Sequence, residues 1–229
     1  MRVGAVILFK NGYCFQSYGW NLLRPLGNIQ NVLDHLEEYN VDEISIIRPL
    51  KGNDKDDDFY FDLDLLSKIK SSTPLSFGGG LYNKNRIDFA RSLSFERLIF
   101  TSNLFLKESK VIDYTKKMLG KQAVIGCLPL IISNKKLKVY NSTKNEFFPI
   151  EELNYNQLMM CDEFIVYDCC NEGYSNSFDM NLLDFKFFDN KKIIISGGVN
   201  KDLQIHSNKD IVSKLVENRV LHKEYSLKK

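Results

Sequence analysis

Two glycine-rich segments, Phe77-Gly78-Gly79-Gly80 and Ser196-Gly197-Gly198, lie roughly half the chain apart. Glycine at the end of a strand lets backbone N–H groups approach a ligand, and a helix N-terminus after it favours phosphate. Thr101-Ser102 could add hydroxyl and amide donors beside the first segment, and Asn171-Glu172-Gly173 beside the second. Two such loops facing each other would hold a molecule with two phosphates. Taken singly, each glycine pair is equally a device for relieving crowding in a tight turn.

The elements that must position these loops are duplicated. Phe61-Asp62-Leu63-Asp64-Leu65-Leu66 leads to the first segment and Phe178-Asp179-Met180-Asn181-Leu182-Leu183 to the second. A matching strand start precedes each copy, at Asp42-Glu43-Ile44 and Asp162-Glu163-Phe164. Eight apolar runs read as strands, over 3–8, 43–47, 74–77, 97–101, 123–128, 163–167, 192–195 and 210–216. They are nearly continuous in Val, Ile, Leu and Phe, as parallel strands covered by helices are. Helices are expected over 29–39, 63–69, 87–93, 109–119 and 150–160. This alternation predicts an α/β protein, a (β/α)8 barrel of two half-barrels in one domain spanning 1–229. A hairpin is expected after strand five, turning at Asn134-Lys135-Lys136, and the C-terminal end is short of helix.

The 31 basic and 29 acidic residues balance too closely for a protein that tracks nucleic acid, so no nucleic-acid partner is expected. Five cysteines (Cys14, Cys127, Cys161, Cys169, Cys170) form neither a disulfide framework nor a zinc motif, and a reducing cytoplasm fits them. No metal and no cofactor are expected. The longest apolar run, 123–132, contains Gly126 and Pro129 and is too short for a membrane helix. A soluble protein is the expectation. Lys51 to Asp58 lacks the spacing of a calcium loop and reads as a solvated, mobile loop that could act as a lid. His35 and His206 have no identifiable catalytic partner, and Cys169-Cys170 has no evident cause for a lowered pKa.

Phe77-Gly78-Gly79-Gly80-Leu81, the segment from Arg97 to Phe105, Asp162 to Leu183 and Ser196-Gly197-Gly198 resemble the cyclase subunit of imidazole glycerol phosphate synthase. The similarity runs from Arg2 through Gly198, more loosely to His222, and includes the hairpin. It implies a phosphate site at Gly79, Gly80, Thr101 and Ser102, and a second at Glu172, Gly173, Gly197 and Gly198. It also implies a glutaminase partner docked at the barrel bottom, with ammonia passing through the barrel. Arg2, Glu43, Arg97 and Glu163 open four strands and match a ring of alternating charges that gates ammonia in this family. Read alone, the same four residues also describe a salt-bridged plug. Glu96 matches an acidic contact to the glutaminase.

The departures concern the chemistry. The family's acid and base are aspartates at the ends of strands one and five, and those positions are Leu8 and Leu128, which cannot transfer a proton. A third acidic position is Arg48, which reverses the charge and could hold an anionic group. Asp168, Glu172 and Arg48 remain as candidates for proton transfer or substrate contact. The loss of the first aspartate is similar to a branch of the family in bacterial surface-glycan pathways. There the barrel delivers ammonia for turning a sugar acetamido group into an acetamidino group. An ammonia-channelling subunit with a phosphorylated or nucleotide-sugar ligand is therefore expected. The rival readings are a true cyclase of histidine biosynthesis with displaced acids, and a non-catalytic phosphate-binding scaffold.

Overall fold

The computed structural model describes residues 1–20, 22–52, 54–174, 177–200, 202–205 and 207–217. In chain order it runs β1 (Arg2–Lys10), β2 (Tyr13–Tyr18), β3 (Leu22–Gly27), α1 (Ile29–Glu38), β4 (Ile44–Ile47), α2 (Asp56–Leu66), β5 (Leu75–Gly78), α3 (Lys84–Arg91) and β6 (Phe95–Phe100). It continues with α4 (Lys110–Leu119), β7 (Val124–Ser133), β8 (Lys136–Asn141), β9 (Glu146–Pro149), α5 (Tyr155–Met160), β10 (Glu163–Asp168), β11 (Lys192–Ser196) and β12 (Ile211–Val216).

Eight strands pair in parallel in the order β1-β4-β5-β6-β7-β10-β11-β12, and β12 returns to β1, so the sheet is a closed barrel with no free edge. All eight apolar runs of the sequence are these strands. The alternation of side chains divides the core in two. Val6, Ile99, Ile125, Ile165, Ile194 and Leu215 pack inside the ring, whereas Ile7, Phe9, Phe77, Leu98 and Phe164 face the outer layer.

The outer layer forms where apolar spacing and caps agree. Helix α1 buries Ile29, Val32, Leu33 and Leu36, and the Asn28 side chain caps it by accepting from the Gln30 N–H at 2.7 Å. Helix α2 starts at Asp56, earlier than its apolar stripe suggests, because Asp56, Asp57 and Asp58 suit the positive end of the helix. The expected helix over 150–160 divides into a 3-10 turn (Ile150–Glu152) and α5, which Asn154 caps.

Two hairpins extend from the barrel. β7 continues into β8 through Asn134 and Lys135, both left-handed, which gives the expected turn. The other is absent from the sequence reading: β1 turns into β2 through Asn11 and Gly12, and β3 pairs back on β2. Asn-Gly between two strands is the signal that could have found it.

The two copies of the repeat fold differently. Phe61 is exposed on α2 and Asp62 is wholly buried. In the second copy Phe178 is buried, and Asp179 caps a 3-10 turn over Met180–Asp184. No α-helix among the described residues lies between β10 and β12. Phe187 packs there against Phe164, with ring centroids 5.0 Å apart, and against Phe185 and Phe188. His206 and His222 lie outside the described residues.

Candidate functional site

At the N-terminal floor of the barrel, Arg2 donates to Glu43 at 3.1 Å and to Glu163 at 2.7 Å. Arg97 donates to Glu163 at 2.8 Å and to the other oxygen of Glu43. The four side chains thus form a closed ring of alternating charge, contributed by four strand starts. Burial raises the Glu43 carboxyl pKa, but the Ser213 hydroxyl bond and the charges of Arg97 and Arg2 outweigh it and hold the group below its ordinary value. Glu96, beside Arg97, is exposed. Above the ring the lumen is mostly apolar, with the hydroxyls of Ser45 and Ser76 bonded at 2.8 Å within it.

At the opposite end, where (β/α)8 barrels build their sites, a cavity of about 360 Å³ opens. Gly79, Gly80, Thr101 and Ser102 line one side of it. Both glycines need a left-handed backbone, at φ 106° and 84°, and a Cβ on Gly79 would lie 2.3 Å from the Arg48 carbonyl. The Ser102 and Ser142 hydroxyls are 2.6 Å apart, so the β8–β9 hairpin adds a hydroxyl that the sequence reading missed. The walls are aromatic. Trp20, at the tip of the β2–β3 hairpin, lies 5.4 Å from the Tyr140 ring and 5.2 Å from that of Tyr167. Its indole N–H is buried without a partner among the described residues.

The glycines of the other side, Gly173, Gly197 and Gly198, do not line the cavity. A Cβ on Gly173 would meet the Tyr18 ring at 2.9 Å, and one on Gly198 the Ser177 hydroxyl at 2.7 Å. The Gly197 N–H donates to the Glu217 carboxyl, which also accepts from Ser196 at 3.1 Å and from the Tyr167 hydroxyl. Glu217 as a residue is half-buried, but its carboxyl is enclosed. Burial first, and the charge of Glu172 second, push it up to about 8. Glu172 accepts from the Trp20 backbone N–H at 2.8 Å and clamps the hairpin over the mouth, and burial raises its pKa as well.

Two candidates have structural partners instead of a ligand. Asp168 accepts from the N–H groups of Cys170, Asn171 and Asp179 and from the Asn171 amide, which organises the loop after β10. Arg48 lines the cavity and is engaged by two carboxylates: its Nε donates to Asp62 at 2.8 Å and its other two nitrogens to Asp54 at 3.0 Å each. Arg86 joins them through Asp54 at 2.6 Å and Asp56 at 2.7 Å. In the segment expected as a solvated loop, Lys51, Lys55, Asp56, Asp57 and Asp58 are exposed, but the Asp54 side chain is buried in this cluster and α2 begins at Asp56.

Leu8 lines the cavity, but Leu128 does not. Leu128 faces the outer core, and the inward positions at that strand end are Cys127 and Pro129. Neither carries a carboxyl, so both family aspartate places lack an acid. Burial pushes the Cys127 thiol up to about 12, away from nucleophilic chemistry. Glu217 was missed by sequence reading, although a carboxylate just past the last strand of a barrel is itself a signal. No group of three His, Cys, Asp or Glu residues among those described is placed to hold a metal. No helix among them is long and apolar enough to cross a membrane.

Comparison with known proteins agrees with this architecture. A protein of Leptospira interrogans, provisionally named imidazole glycerol phosphate synthase subunit HisF, is 21% identical over 187 residues, covering 80% of this chain and 73% of its own length. The profile of the family described as "Histidine biosynthesis protein" matches residues 4–225. With nearly the whole chain matched and a closed eight-stranded barrel beneath the match, this protein belongs to the histidine biosynthesis family, as a HisF-like member.

Proposed function

We propose that this barrel is the acceptor subunit of a glutamine amidotransferase, taking ammonia from a glutaminase docked at its floor and delivering it to a phosphorylated or nucleotide-linked ligand at its mouth. The observation that carries the reading is the ring of Arg2, Glu43, Arg97 and Glu163. Partly buried ion networks are poor stabilisers compared with apolar packing, so two acids and two bases at the base of a mostly apolar lumen suit a gate better than a plug. The relative's name supports a synthase-type subunit. Sugar amidination in a surface-glycan pathway fits the missing acids, because delivery of ammonia demands no acid–base pair from the barrel itself.

The test is reconstitution. Mixing the barrel with a glutaminase subunit from the same organism should stimulate glutamine hydrolysis several-fold, and ligand at the mouth should raise it further. Absence of complex formation would sink the proposal. The non-catalytic scaffold reading is favoured by the lack of any carboxyl at the inward ends of β1 and β7. It predicts assembly without transfer of nitrogen from amide-labelled glutamine to a product.

A further inference from the structure

The two sides of the mouth have diverged. On one, Gly79, Gly80, Thr101 and Ser102 open on the cavity. On the other, the Gly197 N–H and the Ser196 hydroxyl are occupied by Glu217, and Gly173, Gly197 and Gly198 do not line the cavity. A carboxyl group already seated on these donors excludes a phosphate from them by volume and by occupying the hydrogen bonds.

The space between is not built for a polar chain. Trp20, Tyr140 and Tyr167 form an aromatic wall, with Leu8, Ile47, Leu50 and Leu215 around it. Within that wall the indole N–H of Trp20 has no acceptor among the described residues. A buried donor without a partner is uncommon in a folded protein, and a ligand acceptor supplies the missing bond. The Trp20 backbone is itself constrained, with φ 64°, and is tied on both sides, its N–H to Glu172 and its carbonyl to the Lys51 ammonium at 3.0 Å. The aromatic face is thus held in place before a ligand arrives.

We infer that the ligand of this cavity carries a single phosphate, bound beside Gly79, Gly80, Thr101 and Ser102, on a flat aromatic body with an acceptor atom for Trp20. Glu217 takes the place of a second phosphate. The inference rests on the reading of the mouth as a site for a phosphorylated ligand, and narrows that ligand to an aryl or heteroaryl monophosphate. Aromatic rings meet edge-to-face or offset at centroid separations such as those within the wall, so a ring entering it makes the contacts that Tyr140 and Tyr167 already make with Trp20.

Trp20 is the single tryptophan of the chain, so its fluorescence reports occupancy directly. The full-length barrel is titrated with phenyl phosphate, phenol, ribose 5-phosphate and ribulose 1,5-bisphosphate, with calorimetry to detect binding that leaves fluorescence unchanged. Phenyl phosphate should saturate, phenol and ribose 5-phosphate should each bind at least tenfold more weakly, and the bisphosphate should bind no better than ribose 5-phosphate. A bisphosphate that binds as tightly as phenyl phosphate, or phenyl phosphate that fails to saturate, overturns the inference. Tyr140→Ala should weaken phenyl phosphate at least tenfold and ribose 5-phosphate less than twofold, while Tyr140→Phe keeps both; equal losses for the two ligands would overturn it as well. Glutaminase stimulation is measured separately. A barrel that stimulates its partner but prefers the bisphosphate refutes the inference and leaves the proposed function standing, and the converse pattern separates the two the other way.

Discussion

The Gly197 N–H donates to the Glu217 carboxyl, so a loop with the composition of an anion cradle is closed by a side chain of the same protein. The carboxyl that closes it titrates well above the ordinary range, at about 8 against 4.5.

That shift has a definite sign. A carboxyl raised in the folded state makes no demand below the unfolded value, and destabilises progressively as pH climbs from there to about 8. The expected loss is roughly 1.4 kcal/mol per pH unit across that window. Glu217→Gln should flatten the profile and leave the protein more stable than the native chain at pH 8. Urea unfolding at several pH values measures this, and an unchanged slope would assign the titration to another group.

Arg48 is buried with Asp54 and Asp62 on its nitrogens and lies 5.3 Å from the centre of the Phe59 ring. Arg48→Met leaves carboxylates without their partner and should cost about 3–5 kcal/mol. Arg48→Lys should recover little of it, because an ammonium cannot span both carboxylates. Thermal melts of the two variants should therefore fall close together, well below that of the native protein.

The floor ring allows stability to be separated from coupling. Arg97→Met alone leaves the two glutamates with one arginine, whereas Arg97→Met with Glu163→Gln keeps Arg2 paired to Glu43. The double variant should lose no more than about 2 kcal/mol and prove more stable than the single one. If the ring gates ammonia, the double variant should still bind the glutaminase but uncouple hydrolysis from transfer, as read from free ammonia against product.

Gly79 and Gly27 share a left-handed backbone but not its surroundings, since a Cβ on Gly79 would strike Arg48 and one on Gly27 would meet open space. Gly27→Ala should cost about 1–2 kcal/mol for the backbone alone. Gly79→Ala should cost several kcal/mol, because the obstructing carbonyl belongs to the barrel wall. Equal melting shifts would contradict the close approach.

The barrel strands were legible because each is apolar on both faces. That same property concealed register: with Leu128 and Pro129 both apolar, nothing in the run states which faces the lumen. The β7–β8 hairpin was legible from its alternating arms. Its counterpart after β1 was not, although Asn11-Gly12 marks the turn, because the arms beyond it mix Cys, Gln, Ser and Arg with aromatic residues. Contacts between distant segments were beyond sequence reading. Asp54 meets Arg86 only once α3 packs beside α2, and Glu217 reaches Gly197 only when β11 and β12 lie side by side.

Among the described residues, the outer wall between β10 and β12 is made of 3-10 turns and phenylalanines packed edge to face, with no α-helix. Backbone amides there rely on short-range bonds with little cooperativity, while those behind β4 to β6 sit in longer helical ladders. The ring is continuous, yet its resistance to opening is graded. Deuterium should enter the wall around Phe185 to Phe188 long before it enters α1 or α4, making the later half of the barrel the first unit to unfold and the last to lock.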